Sequence, residues 1–427
     1  MSISNCTVPV RWKSANVVPI PKCRNPSLDE FRPVSLLPIP SKLLEKIVLT
    51  SVKEKLVSLY GNNQFGFRPG SSTLNAHIAI HDCITRCLDA PSCDGIAMIA
   101  LDLSKAFDRL SHKSILLTLS QGNFPPQFIR WIESFLNKRT QKVVFQGVSS
   151  SNEVRVTSGV PQGSVLAPFL FAAEVGSLKP RLSQTVLIKY ADDLTLLIPY
   201  KRSMDSEFVS TIKDEINNIN GWCKERNLVI NEKKTKSLFF GKPNPSSQFE
   251  TRPPNIVSEL KVLGITYHKS LKWDTHVNYI IKAAGRRVNV LRYLRRIGLC
   301  SVSKKDLVTV YNNYILSILE FNCPLFVGLN KKNAQKLERI RKRCHRIVCG
   351  SDCDCDDFPS LHERRQEQAM RTFSTIMHTD NISHCFLPNH LPRTNLFRHE
   401  YIKTNRRANS FIPHCVTLWN LSEMTKK

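Results

Sequence analysis

The sequence has no long hydrophobic run. No stretch approaches the roughly 18 consecutive apolar residues of a transmembrane helix. Residues 1–22 also lack the apolar core of a signal peptide. We therefore expect an intracellular protein of the nucleus or cytoplasm, with no membrane partner. A hydrophobic content of 41% argues against a generally disordered chain, and 427 residues suffice for two or three domains with cores of their own.

Acidic residues are also scarce, which leaves a large positive charge. Lys and Arg number 61 against 35 Asp and Glu, so the net charge is +26. A surplus of this size indicates a polyanionic partner, and nucleic acid is the leading candidate. An anionic membrane surface is the alternative, but it would require an amphipathic anchor or a lipidation signal, and the sequence has neither.

The 14 cysteines are scattered along the chain without a secretory signal, so we expect reduced thiols. One group, Cys349, Cys353 and Cys355, lies near the aspartates of residues 351–357. A zinc site is one interpretation, yet the C-x₃-C-x-C spacing fits no common structural zinc pattern. We favour an irregular acidic linker.

Two adjacent carboxylates stand between two apolar runs. Asp192 and Asp193 end the segment YADD and separate residues 186–188 from residues 194–198, a pattern typical of a buried hairpin. Like charges this close repel, and in a partly desolvated site one of them would take up a proton unless a cation were bound. A divalent metal ion is the obvious cation.

A third carboxylate strengthens this interpretation. Asp102 lies near the C-terminal end of the apolar run 96–103, which predicts a buried strand. If this strand and the hairpin share a sheet, Asp102 and Asp192 face each other. Hard oxygen ligands select Mg²⁺ or Mn²⁺, and two such ions suit in-line phosphoryl transfer. For the Asp-Asp pair alone, a salt-bridged surface turn is the alternative.

Hydrophobic periodicity predicts the remaining organisation. Residues 1–40 are rich in proline and are expected to be irregular. Strands alternate with helices up to about residue 240, and the chain is mostly helical from about residue 275, which predicts an α+β body and a separate helical domain. The predicted elements are helices at 41–60 with Ser41 as N-cap, at 74–88, after Ser111, after Pro126, after Val165 and at 205–224, with a hairpin at 142–157 and two short strands at 228–240.

The segment 331–346 has an apolar stripe and a basic face. It carries eight Lys or Arg residues and one Glu. A solvated helix face is one interpretation, but the charge bias favours contact with a phosphate backbone. The candidate contact residues are Arg339, Arg341, Lys342 and Arg343.

Eight segments occur in the order found in the reverse transcriptase domain of non-LTR (LINE-type) retrotransposons, which the chain resembles over roughly residues 12–350. Any one of them could arise by chance, but eight in order are very specific. They are WKSANVVPIPK, FRPVSLLPIPSKLLEKIV, NNQFGFRPGSST, ALDLSKAFDRLSH, SGVPQGSVLAPFLF, KYADDLTLL, WCKERNLVINEKKTK and LKVLGITYHKSLKWDTHV.

The resemblance implies a right-hand polymerase with fingers, an antiparallel-sheet palm and a helical thumb. Fingers and palm would occupy residues 1–245, with the N-terminal part of the fingers missing. The primer-grip region and a basic helical thumb would occupy residues 246–350. Residues 351–427 would form a tail of unknown role that contains a Trp419-Asn420 motif. The segment FAAEVGSL at 171–178 departs from the family's usual pattern.

In this family the palm carboxylates hold two metal ions. The resemblance therefore implies that Asp102 and Asp192 ligate both Mg²⁺ ions, with Mn²⁺ as a substitute. Asp193 would be nearby but less essential, and the backbone carbonyl of Leu103 would complete one coordination shell.

The resemblance also implies a nucleotide pocket. Phe107, five residues after Asp102, would pack under the sugar and select deoxynucleotides, with plain core packing as its alternative. Gln162 and Gly163 would line the pocket. The triphosphate would be gripped by Lys22 and Arg32 and positioned by Lys234, which could instead protonate the leaving pyrophosphate; the adjacent Lys233 is an alternative to Lys234.

Nucleic-acid contacts follow in the same way. Arg68 would hold the template strand, Leu263 and Gly264 would form the primer-grip turn, and the basic helix would lie on the template–primer duplex. The implied function is RNA-directed DNA polymerase of a retroelement, which joins a dNTP to the 3′-hydroxyl of a DNA primer on an RNA or DNA template. The alternative is a truncated, inactive remnant that still binds nucleic acid. Protein partners are not predicted.

Overall fold

The computed structural model describes residues 2–150, 152–201, 205–241, 255–297, 302–350, 359–378, 382–392 and 394–425. The chain divides into two compact units. Unit 1 comprises Met1–Pro69, Ala100–Leu196 and Val209–Thr235, and unit 2 comprises Gly70–Ile99, Leu197–Phe208 and Lys236–Lys427. The boundaries of fingers, palm, thumb and tail stay a prediction.

Both units contain several helices. They are α1 (Ile39–Ser58), α2 (Thr73–Asp89), α3 (Ala106–Arg109), α4 (His112–Gln121), α5 (Pro126–Leu136), α6 (Ala167–Gly176), α7 (Asp205–Glu225), α8 (Asp274–Ile297), α9 (Lys304–Val310), α10 (Ser317–Leu319), α11 (Lys331–Cys349), α12 (Leu361–Met377), α13 (Asn405–Ala408) and α14 (Phe411–Met424). Among the residues that the structure describes, no helix is long and apolar enough to span a membrane.

The strands form three sheets, ordered β2-β1-β4-β5 with β6 beside β4, then β7-β8-β3-β9, and finally β10-β11. They are β1 (Ser14–Pro21), β2 (Phe31–Leu36), β3 (Gly95–Asp102), β4 (Arg139–Phe145), β5 (Val148–Ser149), β6 (Val154–Val156), β7 (Val186–Tyr190), β8 (Asp193–Tyr200), β9 (Lys236–Gly241), β10 (Glu259–Val262) and β11 (Ile265–His268). Helices together with mainly antiparallel strands confirm the predicted α+β class.

The proline-rich N-terminal region is not irregular, so that expectation is wrong. β1 pairs antiparallel with β2 and parallel with β4. Pro19 lies opposite Pro33 in the β1–β2 register. Since neither proline has an N–H to donate, this pair sits where the antiparallel ladder requires no hydrogen bond. The prolines are thus compatible with a strand pair, which their number alone did not suggest.

β3 and β8 carry the candidate carboxylates. Nearly every residue of β3 is buried, as its apolar run predicted. At its start, the Asp94 N–H donates to the Tyr200 carbonyl at 3.0 Å, so the start of β3 lies beside the end of β8. The two strands therefore run antiparallel, and the C-terminal end of β3 at Asp102 lies towards the start of β8 at Asp193.

Two helix and strand boundaries differ from the expectation. α1 begins at Ile39, and its N-cap is Pro38, not Ser41, because Pro40 fits the first turn of a helix. Residues 228–240 contain only β9 and an isolated bridge between Ile230 and Leu103, instead of two strands.

Unit 2 has a helical core formed by α8, α9 and α11. The predicted apolar stripe of this basic helix is confirmed: Leu337, Ile340 and Cys344 of α11 are buried in this core and Ile347 packs against it, with Val348 buried as well. A π-helical stretch at Tyr311–Leu316 joins α9 to α10 in the same core.

A second core in unit 2 contains the C-terminal tail. Phe373 of α12 and Phe411 of α14 pack with Phe397 and with Ile78 of α2. Residues of the tail are thus part of a hydrophobic core with α2 and do not form an extended appendage.

The cysteines follow the expectation only in part. Cys87 and Cys93 are joined by a disulfide across the turn between α2 and β3, so the expectation of reduced thiols is wrong for this pair. The six-residue separation brings their Cα atoms to 5.8 Å, within the usual range for a disulfide. Cys353 and Cys355 lie outside the described residues, so the structure says nothing of the acidic segment around them.

Candidate active site

The three predicted catalytic carboxylates all belong to unit 1. Asp102 is the last residue of β3, and Asp192 and Asp193 stand at the turn between β7 and β8. The preceding residue, Ala191, has a φ of 56°, a left-handed conformation that non-glycine residues adopt at a cost. A tight, strained turn thus fixes where the pair of carboxylates leaves the sheet.

These carboxylates act on one another electrostatically. Partial burial raises the pKa of Asp192, and the negative charge of Asp102 raises it further. Partial burial also raises the pKa of Asp193 to about 6, and the charges of Asp192 and Asp102 add to this effect. Asp192 and Asp193 therefore hold a proton more tightly than an isolated carboxyl would, and a bound cation would offset both the repulsion and the desolvation.

A lysine already partly compensates this charge. Nζ of Lys234 lies 3.3 Å from Oδ2 of Asp102. The backbone explains the approach: the Asn231 N–H donates to the Asp102 carbonyl at 2.7 Å, and the Asn231 carbonyl accepts from the Lys234 N–H at 3.1 Å. The turn that carries Lys234 is thus hydrogen-bonded to the backbone of Asp102, and Lys234 contacts the side chain of the same residue. Asn231 was not among the predicted residues.

The donor set is of the kind that suits a hard divalent cation. Carboxylates and a backbone carbonyl are the oxygen ligands that Mg²⁺ and Mn²⁺ prefer, and burial together with neighbouring negative charge raises the pKa values of two of the acids. In the described part of the chain, however, no group of three or more His, Cys, Asp or Glu side chains is placed so that it could hold a metal ion.

Leu103 directly follows Asp102 in the sequence. Its side chain is buried, and its backbone forms an isolated bridge with Ile230. The Ser104 N–H donates to the Val229 carbonyl at 2.8 Å. This pairing holds the peptide after Asp102 in place.

Gly163 lies against the backbone of β2. It has a φ of +127°, and a Cβ on it would lie 2.5 Å from the Ser35 carbonyl oxygen. The Ser35 N–H in turn donates to the Gln162 carbonyl at 2.7 Å. Both facts require glycine at position 163, because a side chain would break this contact.

Gln162 is oriented by an acid that sequence analysis missed. Its Nε2 donates to Oδ1 of Asp108 at 2.9 Å. Burial raises the pKa of Asp108, while this hydrogen bond lowers it. A carboxylate can only accept, so the Gln162 amide nitrogen faces Asp108 and its oxygen points elsewhere. The sequence did contain one signal for this acid: Asp108 directly follows Phe107, which the family resemblance places at the nucleotide pocket.

Phe107 is half-buried and stacks on Phe171. Their ring centroids are 4.4 Å apart at an interplanar angle of 22°, and Phe67 meets Phe107 edge-on at 6.4 Å. The Val160 N–H donates to the Phe107 carbonyl at 2.7 Å. Phe107 is therefore fixed by stacking on Phe171 and by the hydrogen bond to its backbone carbonyl. Part of its ring stays accessible.

The cations predicted to bind phosphates or template differ in exposure and in their contacts. Lys22, just after β1, and Arg32 of β2 are both exposed. Burial and the charge of Asp102 raise the pKa of Asp192, and the positive charges of Arg32 and Lys22 lower it. Arg68 is half-buried, donates to the carbonyls of Gly61 and Gln64, and lies over the Tyr60 ring at 5.6 Å. Arg68 thus braces its own loop, a role that its sequence did not indicate.

The loop of residues 64–68 also supports the carboxylate turn. Oε1 of Gln64 accepts from the N–H groups of Gly66 (3.2 Å) and Ala191 (3.3 Å). On β7, Nζ of Lys189 donates to the carbonyls of Val175 and Leu178 at 3.0 and 3.1 Å. Burial lowers the pKa of Lys189 to about 8. The turn thus rests on a network of buried polar contacts.

The predicted primer-grip turn lies in unit 2, between β10 and β11. Leu263 and Gly264 have φ values of 43° and 90°, and two positive φ values are characteristic of a type I′ hairpin turn. The buried ring of His77 contacts the Leu263 carbonyl through Nε2 at 3.4 Å and the Tyr267 hydroxyl through Nδ1 at 3.0 Å. Since a carbonyl only accepts, Nε2 donates and Tyr267 donates to Nδ1.

The basic face of α11 is only partly available. Arg339, Lys342 and Arg343 are exposed. Arg341 is largely buried and forms an ion pair with Glu338 one turn away. Three of the four predicted contact residues therefore face solvent.

Comparison with known proteins agrees with these features. Residues 20–267 match the family model described as reverse transcriptase (RNA-dependent DNA polymerase). The RNA-directed DNA polymerase from mobile element jockey of Drosophila melanogaster is 27% identical over 361 residues, which cover 80% of this chain and 38% of that protein. The "Probable RNA-directed DNA polymerase from transposon BS" of the same species is 27% identical over 366 residues, covering 81% and 39%.

These matches confirm the predicted resemblance to LINE-type reverse transcriptases. The chain spans less than two fifths of the jockey protein's length. Among solved structures, apo telomerase from Candida Tropicalis is 12% identical with a TM-score of 0.49, over 88% of this chain and 64% of that one. That likeness is too weak to carry an argument.

We expect Gly66→Ala to destabilise the protein by about 1–3 kcal/mol. The added methyl would lie 2.4 Å from the backbone nitrogen of Ala191, so the carboxylate turn would have to shift. Gly221→Ala is the matched control, because a Cβ there meets no atom within 4 Å and alanine favours the α7 helix. Urea unfolding of both variants measures the difference. Equal stability of the two would contradict the role of Gly66 in supporting Ala191.

Proposed function

The chain belongs to the reverse transcriptase family, and from this premise we propose that it is an RNA-directed DNA polymerase of a retroelement. It would join an incoming dNTP to the 3′-hydroxyl of a DNA primer, on a template of RNA or DNA. The observation that carries the proposal is the set of three mutually repelling acids at the end of β3 and between β7 and the start of β8, flanked by exposed cations. The polymerase activity, its substrates and its nucleic-acid partners belong to this proposal.

Asp102, Asp192 and Asp193, with the Leu103 carbonyl, would hold two Mg²⁺ or Mn²⁺ ions. Such ions supply Lewis-acid activation of the attacking hydroxyl and charge stabilisation of the leaving pyrophosphate. The strained turn at Ala191 and the pairing behind Leu103 support this role, because they fix the backbone from which the ligands project. Fixed ligand positions favour positioning, the main source of catalysis in phosphoryl transfer.

Lys234 would bind the triphosphate once it leaves Asp102. It lies next to the carboxylates in the metal-free chain, and an ammonium suits either a phosphate contact or proton donation to the leaving group. The adjacent Lys233 has no contact of this kind with an acid among the described residues, which favours Lys234 over its neighbour.

The nucleotide pocket would be built around the loop of Gln162 and Gly163. The exposed Arg32 and Lys22 would contact the phosphates, and Arg32 suits bidentate contact. Gln162 is held by Asp108, so its amide oxygen would face the nucleotide as an acceptor. The accessible part of the Phe107 ring would lie under the sugar and exclude a 2′-hydroxyl.

Nucleic acid would be held by several further residues. Arg68 would shape the template loop through its backbone contacts, and the Leu263–Gly264 turn would approach the primer. The exposed residues of α11 would lie on the template–primer duplex as part of a helical thumb. The proposed substrates are found inside cells, which supports a location in the nucleus or cytoplasm.

Primer extension on poly(rA)/oligo(dT) tests the catalytic proposal. We expect the wild-type chain to incorporate dTTP with Mg²⁺ or Mn²⁺, and Asp192→Asn to lose at least 100-fold in rate, because the variant lacks a shared ligand charge. Both proteins should bind the duplex equally, since the proposed role of Asp192 is to hold metal ions and not to grip the phosphate backbone.

A thermal-shift measurement separates metal binding from activity. Mg²⁺ or Mn²⁺ should raise the melting temperature of the wild type and not that of Asp192→Asn, because a ligand stabilises the state to which it binds. If the wild type binds duplex but neither extends it nor responds to metal, the chain is an inactive remnant that retains nucleic-acid binding.

Phe107→Ala should increase incorporation of ribonucleotides relative to deoxynucleotides by at least 10-fold, because the ring no longer excludes the 2′-hydroxyl. Phe107→Tyr keeps the bulk and should keep the selectivity. Single-nucleotide incorporation kinetics with dTTP and UTP measure the ratio for each variant. An unchanged ratio in a folded Phe107→Ala protein would leave core packing on Phe171 as the role of this residue.

Replacing Arg339, Lys342 and Arg343 of α11 by Gln should weaken duplex binding and flatten its salt dependence by up to about 0.9 per lost phosphate contact in the log–log slope. A matched variant that removes three exposed lysines elsewhere, Lys46, Lys53 and Lys113, controls for net charge. Binding titrations between low and high salt measure both slopes. The same slope for both variants would mean that the α11 face is only a solvated surface.

A further inference from the structure

The Trp419-Asn420 motif of α14 clamps a loop of the tail. Oδ1 of Asn420 accepts from the Phe397 N–H, and its Nδ2 donates to the Phe397 carbonyl, both at 2.9 Å. Nε1 of Trp419 donates to the Asn395 carbonyl at 3.0 Å. The Asn420 side chain thus forms the same pair of hydrogen bonds with Phe397 that a neighbouring strand would form. Residues 397–406 are named here the tail loop, and this pair fixes its first residue.

The other end of the tail loop is fixed by α2. The carboxylate of Asp89 accepts from the N–H groups of Lys403 and Thr404 at 3.1 and 2.9 Å. Within the loop, Glu400 forms ion pairs with Arg407 at 3.0 Å and with Arg86 at 3.4 Å. Arg407 is itself buried in an ion pair with Asp82 of α2. Residues 398–404 of the loop have no regular secondary structure and α13 begins at Asn405, yet both ends of the loop and its middle are held.

Four side chains in and beside this loop are exposed to solvent. Tyr401 is 86% exposed and makes no hydrogen bond, ion pair or ring contact with any described residue. Arg398, Lys403 and Arg406 are exposed as well, and none of them forms an ion pair in the described part of the chain. Glu400, the acid among them, is already engaged by two arginines. The loop therefore presents an aromatic ring between cations.

An aromatic side chain between cations is suited to single-stranded nucleic acid. Bases stack on an exposed ring, and flanking Lys and Arg residues contact the phosphates. An anchored loop loses little conformational entropy on binding, which favours affinity. Residues 398–403 span at most about 18 Å of extended chain, enough for a few nucleotides.

We propose that the tail loop binds single-stranded RNA, with a base stacked on Tyr401 and phosphates at Arg398, Lys403 and Arg406. The choice of RNA over DNA rests on the proposed function as an RNA-directed polymerase. The stacking surface itself is independent of that function, because it involves none of the proposed catalytic residues. It would give the tail a role in binding RNA.

Fluorescence anisotropy with a labelled oligo(rU) tests this proposal on the full chain without nucleotides. Tyr401→Ala should weaken binding by about five- to a hundred-fold, the usual effect of losing one base–aromatic stack. Tyr401→Phe keeps the ring and should bind as the wild type does. Arg398→Gln combined with Lys403→Gln should weaken binding and lower the salt slope by about two contacts. Melting temperatures of all variants should match the wild type, since these side chains are exposed.

Three outcomes would overturn the proposal: unchanged oligo(rU) binding by Tyr401→Ala, equal weakening by Tyr401→Phe, or tighter binding of oligo(dT) or anionic vesicles than of oligo(rU). Primer extension on a short template–primer serves as the separate measurement. Normal extension with lost oligo(rU) binding supports the tail loop as a distinct site. If the wild type fails in extension while Tyr401→Ala still shows the binding loss, the proposed polymerase activity is wrong and the RNA site stands.

Discussion

Repulsion among three carboxylates is the constraint around which unit 1 is arranged. Burial and mutual charge raise the pKa values of Asp192 and Asp193, so the fold holds these groups where each is unfavourable alone. The surroundings compensate in two ways. Lys234 contacts Asp102 directly, and buried polar contacts from Gln64 and Lys189 hold the strained turn in place.

The same rigidity extends to the loop that would select the nucleotide. Gly163 packs on the Ser35 carbonyl, Gln162 is bound by Asp108, and the Phe107 carbonyl accepts from Val160. Residues of β2, of the short α3 helix and of the Gly-containing loop are therefore coupled by backbone contacts. Asp108 therefore belongs to the same set of contacts as Gln162 and Phe107, although it is not a proposed ligand.

Sequence patterns predicted the elements that depend on local periodicity. The apolar run ending at Asp102 and the hairpin with its paired aspartates are where the pattern placed them, because a buried strand needs apolar residues throughout. The N-terminal strands were missed, since proline content argues against regular structure unless the register is known. The role of the Trp419-Asn420 motif was also invisible, because Phe397 is far from it in sequence.

The sequence by itself determined the chemistry that is available: the acids at the strand ends, the surplus of positive charge and the motif order that identifies the family. These depend on residue type and short spacing, which a chain carries in any conformation. The tertiary structure decided which charges act together. It brought Lys234 to Asp102, gave Arg68 and Arg341 internal partners, and left Tyr401 exposed on an anchored loop. Pairing and burial depend on long-range packing, and packing also sets the local dielectric on which every pKa shift depends.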